Sequence, residues 1–210
     1  CCRSRDQYVS LSNRNYGERS IQVIEIYDDI LEPHIAELIS AEMKNVRWSY
    51  YYTSTKQVPG YHWHLFCGKD EEEVRQNGYE LFLSIWEAAK HKIDAEQKFS
   101  IEGWKRLYAN AHTFGVEPNI HSDDGDFTMI YYPQLDWDIK YGGGTFIYKE
   151  DGVTVDTVAE YRGNRLLVFD AYLPHQAQPV AKNCLELRTC IVFKLFISGA
   201  NSARLDFYKD

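Results

Sequence analysis

His121-Ser122-Asp123, followed by a lone His175 in Leu173-Pro174-His175-Gln176, is the set of side chains in this sequence best able to do chemistry. Two imidazoles and one carboxylate can hold a ferrous ion on one face and leave the opposite face open. Positions i and i+2 of a strand point to the same side, so His121 and Asp123 are expected to share a strand face. The third ligand then comes from another strand. His175 is placed to supply it, because it closes the strand-like run Arg165-Leu166-Leu167-Val168-Phe169-Asp170. A short His-x-Asp is common by chance. Its downstream order gives it weight: a strand, a turn with Pro174, a histidine, then Arg188 opening the run Arg188-Thr189-Cys190-Ile191-Val192-Phe193-Lys194-Leu195.

An iron with three protein ligands keeps three free positions, and oxygen chemistry there usually draws on an electron-donating co-substrate. 2-Oxoglutarate chelates a metal through its keto acid end and leaves a distal carboxylate that needs a buried cation. A guanidinium fork meets that carboxylate in a bidentate way. Taken alone, Arg188 reads equally well as a surface strand arginine. Its place after the His-x-Asp…His order favours the ligand role, with Lys194 on the same strand face by alternation. Tyr132, in Thr128-Met129-Ile130-Tyr131-Tyr132-Pro133, would add a phenol hydrogen bond.

These residues sit in a wider pattern: His121-x-Asp123, then Ile130-Tyr131-Tyr132 with Asp136-Trp137, then Gly142-Gly143-Gly144-Thr145. Asn164-Arg165-Leu166-Leu167-Val168-Phe169, His175 with Gln178-Pro179-Val180, and Arg188 follow. In this order, residues 121–195 resemble the iron- and 2-oxoglutarate-dependent dioxygenase superfamily, nearest its prolyl 4-hydroxylase branch. The resemblance implies Fe(II) on His121, Asp123 and His175, and the distal carboxylate of 2-oxoglutarate on Tyr132 and Arg188. It places Asn110 or Tyr108 against co-substrate or substrate. It implies hydroxylation of a C–H bond with release of succinate and CO2, and ascorbate as a reductant that keeps the iron ferrous. Two departures stand out. Residues 181–187 lengthen the stretch between His175 and Arg188, and Cys190 replaces the small hydroxylic residue often found two after the arginine. Both fall at the pocket floor.

The elements that must position these groups change character along the chain. Residues 1–20 are polar and read as a loose arm. Residues 21–27 alternate as a strand, and Glu32-Pro33 opens a helix with Ile35, Leu38, Ile39 and Met43 at core spacing. Residues 48–54 and 61–67 are aromatic and strand-like, with Trp63 expected in the core. Asp70 is expected to cap one long helix through about residue 93, with Leu81, Phe82, Ile85, Trp86, Ala89 and Ile93 on one face. Short strands follow over 104–113, 127–132, 145–148, 153–160, 165–169 and 188–196, separated by turn clusters. Helices first and strands after predict an α+β, mainly β fold. Its core would be a double-stranded β-helix (jelly roll) over residues 101–197, buttressed by N-terminal helices. With no repeat, low-complexity run or linker, residues 1–210 read as a single domain.

Composition narrows the function classes. The 210 residues are 44% hydrophobic and 15% aromatic, with 16 Tyr and 5 Trp, a folded rather than disordered composition. A net charge of −8 disfavours sequence-independent nucleic-acid binding. Five cysteines, irregularly spaced and without a CxxC pair, suggest neither a zinc site nor a disulfide framework. They fit a reducing cytoplasm, which also keeps Fe(II) ferrous. Cys1 to Gln7 shows no initiating Met and no apolar leader segment, and no run approaches membrane-span length.

Competing constellations are weaker. His62-Trp63-His64 with Cys67 lacks a completing carboxylate. His112 and His91 read as ordinary surface or helix histidines. Asp124 and Asp126 crowd the metal motif, with Asp126 expected in a loop or behind the ligands. Gly142-Gly143-Gly144 lacks the Lys-Ser/Thr and helix of a phosphate loop and reads as a turn into the next strand. The rival functions are a jelly-roll sensory module that keeps a metal without turnover, and a cupin-like metalloenzyme not using 2-oxoglutarate. The tight His-x-His cluster usual in cupins is absent around residue 121. The substrate is a peptide or a small amino-acid-like molecule, and the aromatic strands before residue 67 are expected to shape that choice.

Overall fold

The computed structural model describes residues 22–54, 61–97, 99 and 101–197, so the arm expected over residues 1–20 lies outside the described residues. The chain enters through β1 (Ile24–Tyr27) and α1 (Pro33–Glu42), where Pro33 takes the first turn that needs no backbone donor. β2 (Ser49–Tyr52), β3 (His62–Gly68), α2 (Glu71–Gln76) and α3 (Leu83–Glu96) follow. The remaining strands are β4 (Gly103–His112), β5 (Phe127–Tyr132), β6 (Thr145–Tyr148), β7 (Val155–Ala159), β8 (Arg165–Asp170), β9 (His175–Ala177) and β10 (Arg188–Phe196). Seven strands form one antiparallel sheet in the order β1-β8-β5-β10-β4-β3-β2, and three form a smaller one, β7-β6-β9. The two sheets pack as a jelly roll, and the helices cover the outer face of the larger sheet.

Side-chain alternation divides the interior in two. On β5, Phe127, Met129 and Tyr131 face the helices, while Ile130 and Tyr132 face the smaller sheet. On β10, Ile191, Phe193 and Leu195 join the helical side, and Cys190 and Val192 join the inter-sheet side. Strands buried on both faces carry nearly continuous apolar sequence, which is why these two were easy to recognise. β4 needs one correction of phase. The pairing with β10 slips between Lys194 and Leu195, which face Arg106 and Trp104, so Lys105 is extra. That bulge turns Trp104 onto the helical core with Leu107 and Ala109, while Arg106 stays on the cleft side with Tyr108.

The single long helix expected after Asp70 is two helices. Asp70 does cap, accepting the Glu73 amide at 2.9 Å, but α2 ends at Gln76 and Gly78 follows at φ +80°. The chain then passes through a 3₁₀ turn, Glu80–Phe82, before α3 resumes the apolar face with Ile85, Trp86, Ala89 and Ile93. A left-handed glycine ends a helix whatever the periodicity beyond it. In α1, Leu38 is exposed and Ala36 takes the buried position beside Ile39. Trp63 is half-buried against Tyr50, at 4.8 Å between ring centres, and Leu65 and Cys67 fill the core instead.

Asn164 ties the N-terminal segment to the sheet. Its backbone is left-handed at φ 59°, a conformation asparagine tolerates better than most residues. Its side chain accepts from Leu31 N at 3.0 Å and Tyr131 Oη at 3.3 Å, and donates to Leu31 O at 2.9 Å. Asn164→Ala leaves those buried groups unpaired in a strained backbone, and should lower unfolding free energy by about 2–4 kcal/mol. Urea denaturation measures it; a loss under about 1 kcal/mol would mean that Asn164 is not the tie described here.

Candidate functional site

The site lies in a cleft between the two sheets, partly open to solvent. His121 and Asp123 do not share a strand as expected. His121 forms an isolated bridge with His175, with backbone hydrogen bonds of 3.0 and 2.8 Å in the two directions. The chain then bends, and the Asp123 amide donates to Ala171 O at 2.7 Å. Nor does His175 close the run 165–170. That run is β8 of the larger sheet, whereas His175 opens β9 of the smaller one. The backbone route differs from the expectation, yet the three side chains converge: their ligand atoms lie within 4.8 Å of one another.

Both imidazoles are held by the same device. His121 Nδ1 meets Asn119 O and His175 Nδ1 meets Leu173 O, each at 2.9 Å and each two residues back along the chain. A proton on Nδ1 satisfies the carbonyl and leaves the Nε2 lone pair facing the cleft, as a metal ligand requires. Burial, and then His175, depress the His121 pKa to about 4, so it is an uncharged base at neutral pH. Asp123 Oδ2 lies 3.2 Å from His175 Nε2, and Oδ1 lies 3.7 Å from His121 Nε2. Burial favours the protonated Asp123 carboxyl, but Lys194 and then His175 hold its pKa well below the usual range. Thr128 Oγ1 donates to Oδ2 at 2.6 Å, and Lys194 Nζ contacts the same oxygen. Two imidazole nitrogens and an ionised carboxylate so arranged fit a divalent ion such as Fe(II).

Arg188, 1% exposed, opens the cleft face of β10. Burial opposes its charge, but a guanidinium keeps its proton even when buried. Its Nε donates to Gly143 O at 2.7 Å. Longer contacts run to Gly144 O at 3.5 Å, Cys190 Sγ at 3.3 Å and His112 Nδ1 at 3.5 Å. The Tyr132 and Tyr161 rings lie 5.8 and 5.7 Å from its Cζ. No carboxylate pairs with it among the described residues, so the cleft holds a buried cation whose long contacts can yield to an anion. Gly143 explains part of the glycine run: at φ +80°, a Cβ there would meet Arg188 Cγ at 3.1 Å. Tyr132 Oη donates to Thr145 Oγ1 at 2.8 Å, and burial raises its pKa to about 12, so it remains a phenol.

Asn110 and Tyr108 both line the cleft. Asn110 Oδ1 is engaged by His64 Nδ1 at 2.8 Å, and His64 stacks on Tyr52 at 3.8 Å between ring centres. Tyr108 lies under Lys194 and Arg106, 5.7 Å from each charge centre.

Several readings change. His112 is not a surface histidine: it is 6% exposed, paired in register with Arg188, and tilted against His62 at 5.0 Å between ring centres. Alternation from Asn110 and Tyr108 along β4 could have found it. The rival set of His62, His64 and Cys67 does not assemble, because Cys67 turns to the helical core and burial pushes its thiol to about 12. Asp126 serves the backbone, accepting the Ile197 amide at 3.0 Å. Asp124 pairs with Arg106 at 2.6 Å. The extra residues 181–187 do not break the floor: Ala181 N donates to Tyr141 O at 2.9 Å, and Cys184 packs in the inter-sheet core. Thr128 and Tyr161 carried no signal in the sequence, and Thr145 entered only as the end of the glycine run.

No family model matches the sequence, and no curated protein matches it. Solved structures do match the fold. A prolyl-4-hydroxylase from Pseudomonas putida is 14% identical, with a TM-score of 0.63 over 84% of this chain and 94% of that one. A prolyl hydroxylase from Trichoplax adhaerens, in complex with a hypoxia inducible factor oxygen degradation domain peptide fragment, is 18% identical, with a TM-score of 0.56 over 82% of this chain and 83% of that one. A 2OG-Fe(II) oxygenase family oxidoreductase from Burkholderia pseudomallei is 14% identical, with a TM-score of 0.59 over 82% and 83%. The chain therefore has the jelly-roll fold of the 2-oxoglutarate- and Fe(II)-dependent oxygenases, in its prolyl hydroxylase-like form. Among the described residues, no helix is long and apolar enough to cross a membrane.

The site carries two predictions. His175→Ala removes one of three ligands and should abolish tight Mn(II) binding, read by titration, while His62→Ala leaves it intact; the reverse result would transfer the metal to the β3 histidines. The second concerns pH. His64, His112 and His121 are held below their ordinary pKa, chiefly by burial. The unfolded chain therefore binds protons near pH 6.5 that the folded chain cannot, so stability falls as pH drops from about 7 to 5. Urea midpoints of the metal-free protein should decline over that interval, and a flat profile would contradict it.

Proposed function

We propose that this protein is an Fe(II)- and 2-oxoglutarate-dependent dioxygenase that hydroxylates a C–H bond of a prolyl or other peptidyl substrate, or of a small amino-acid-like one. The observation that carries the reading is that the His121, Asp123 and His175 ligand atoms and the buried Arg188 open into one cleft. A metal-ligand set alone fits many chemistries. An unpaired guanidinium in the same cleft adds a place for the distal carboxylate of a co-substrate that chelates the metal.

When bound, iron and 2-oxoglutarate would supply the oxidising chemistry, in which one atom of O2 would go to the substrate C–H and the other to succinate, with loss of CO2. The chain's own residues bind, orient and exclude water. His121 and His175 offer Nε2 and Asp123 a carboxylate oxygen. Arg188 supplies charge and N–H donors to the distal carboxylate, and Tyr132 supplies a phenol O–H once it turns from Thr145. Ile130 and Val192 give the cleft wall an apolar face, which strengthens these electrostatic contacts. His64 and Tyr52 stack on each other beside the cleft residue Asn110, towards the β2 edge of the sheet, and are assigned to substrate contact. A peptide substrate gains support from the peptide held by the structurally similar Trichoplax adhaerens enzyme. A reducing cytoplasm and ascorbate as reductant complete the reading.

Arg188→Ala should raise the 2-oxoglutarate KM at least about tenfold, since a charged hydrogen bond in a buried site contributes about 1.5–3 kcal/mol. Mn(II) affinity should change little. An unchanged KM would remove Arg188 from the co-substrate site. The activity itself is tested with Fe(II)-loaded protein in air. Succinate should form slowly from 2-oxoglutarate even without prime substrate, with self-inactivation that ascorbate delays, and Asp123→Ala should be silent. No succinate above that control, with any peptide or amino acid tried, would leave a metal-binding module without turnover.

A further inference from the structure

Lys194 stands out among groups that the proposed function does not use. It is 1% exposed, yet it sits on a central strand of the sheet with its ammonium in the cleft. Among the described residues, its close partners lie at the metal end. Nζ contacts Asp123 Oδ2, lies 3.3 Å from Thr128 Oγ1, and lies 5.7 Å from the centre of the Tyr108 ring. Arg188 and Lys194 are six residues apart on one strand face, about 20 Å along the backbone, so they serve opposite ends of the cleft.

The two oxygens of Asp123 are unequal. Oδ2 takes the Thr128 hydroxyl at 2.6 Å and the Lys194 ammonium. Oδ1 receives no hydrogen bond among the described residues and faces His121 Nε2 at 3.7 Å. An acceptor whose lone pairs are already taken by two donors is a poor second ligand, whereas its free twin is a good one.

Resting on the metal-site reading above, we propose that Lys194 is a positioning residue: with Thr128 it occupies Asp123 Oδ2, so that the carboxylate meets the metal through Oδ1 alone, at some expense of metal affinity. The expense follows from charge. A buried ammonium beside a divalent ion repels it, and the repulsion is strong where water is excluded. The carboxylate is pinned in one orientation, and the coordination position that a second oxygen would fill stays open for co-substrate or oxygen. Alignment and affinity therefore pull in opposite directions at this one side chain.

That opposition gives the test its sign. Lys194→Met keeps the buried stem and removes the charge. It should tighten Mn(II) binding by at least about tenfold at pH 7.5, read from the free Mn(II) resonance. The visible bands of the Co(II)-loaded protein should change as Oδ2 joins the metal. Lys194→Arg keeps the charge and should bind Mn(II) as the parent does. Thr128→Val removes one of the two donors on Oδ2 and opens one lone pair without removing charge, so it should alter the Co(II) bands with little change in affinity; it serves as the deciding variant if Lys194→Met does not fold. An unchanged affinity in Lys194→Met with superimposable Co(II) bands would overturn the proposal. So would weaker binding in step with a lower Tm, the result expected if Lys194 only fills space. If the parent protein binds no Mn(II), the metal-site reading fails instead.

Discussion

Two buried cations on one face of β10 are what the rest of the structure must accommodate. Taking a charge out of water costs several kcal/mol unless it is paired or hydrogen-bonded. β10 is the middle strand of seven, and Arg188 and Lys194 are both 1% exposed. The two solutions differ. Lys194 is neutralised at once by Asp123. Arg188 is met by two backbone carbonyls and two aromatic rings, none of which carries negative charge. A protein that solved only a stability problem would pair both. The cleft keeps one charge unmatched at the end away from the metal ligands.

Much of the backbone around that end serves the unmatched guanidinium. The turn Gly142-Gly143-Gly144 brings carbonyls close enough to accept from Arg188, and Gly143 has no room for a side chain between Arg188 and Trp137. Trp137 donates to Gly142 O at 2.9 Å, fixing the turn from outside. Behind the arginine, Tyr161 Oη donates to Thr189 O at 2.8 Å, and Gln134 Oε1 accepts from Thr189 N at 2.8 Å. These bonds hold the first residues of β10, so the side chain of Arg188 leaves a backbone that cannot slide. A one-residue slip would send Arg188 and Lys194 into the helical core together.

Legibility in the sequence followed the physics of each element. β5, β8 and β10 were readable because they are buried on both faces and carry long apolar runs. His121, Asp123 and His175 were readable as residue types in order, but their geometry was not: the reading placed His121 and Asp123 on one strand, whereas a bridge and a bend bring them together. β9 was missed because three residues offer no periodicity. His112 was misread because a lone histidine has no pattern of its own; only the register of β4 against β10 gives it a partner. The break between α2 and α3 lay in Gly78, whose left-handed backbone outweighs the apolar spacing on either side.

The low identity to structures of the same fold is consistent with how little sequence the site consumes. The proposed site asks only for two imidazoles, a carboxylate, a guanidinium and a phenol. Their placement depends on backbone carbonyls, strand register and a glycine turn, which many sequences can supply. His121 and His175 show this most directly. Each is oriented by the carbonyl two residues before it, from Asn119 and Leu173, so the side chains at those positions are free to change. Where a side chain does the orienting, as Thr128 and Lys194 do for Asp123, substitution is constrained. Those are the positions at which this chain can differ from its structural neighbours in how the Asp123 carboxylate is aimed into the cleft.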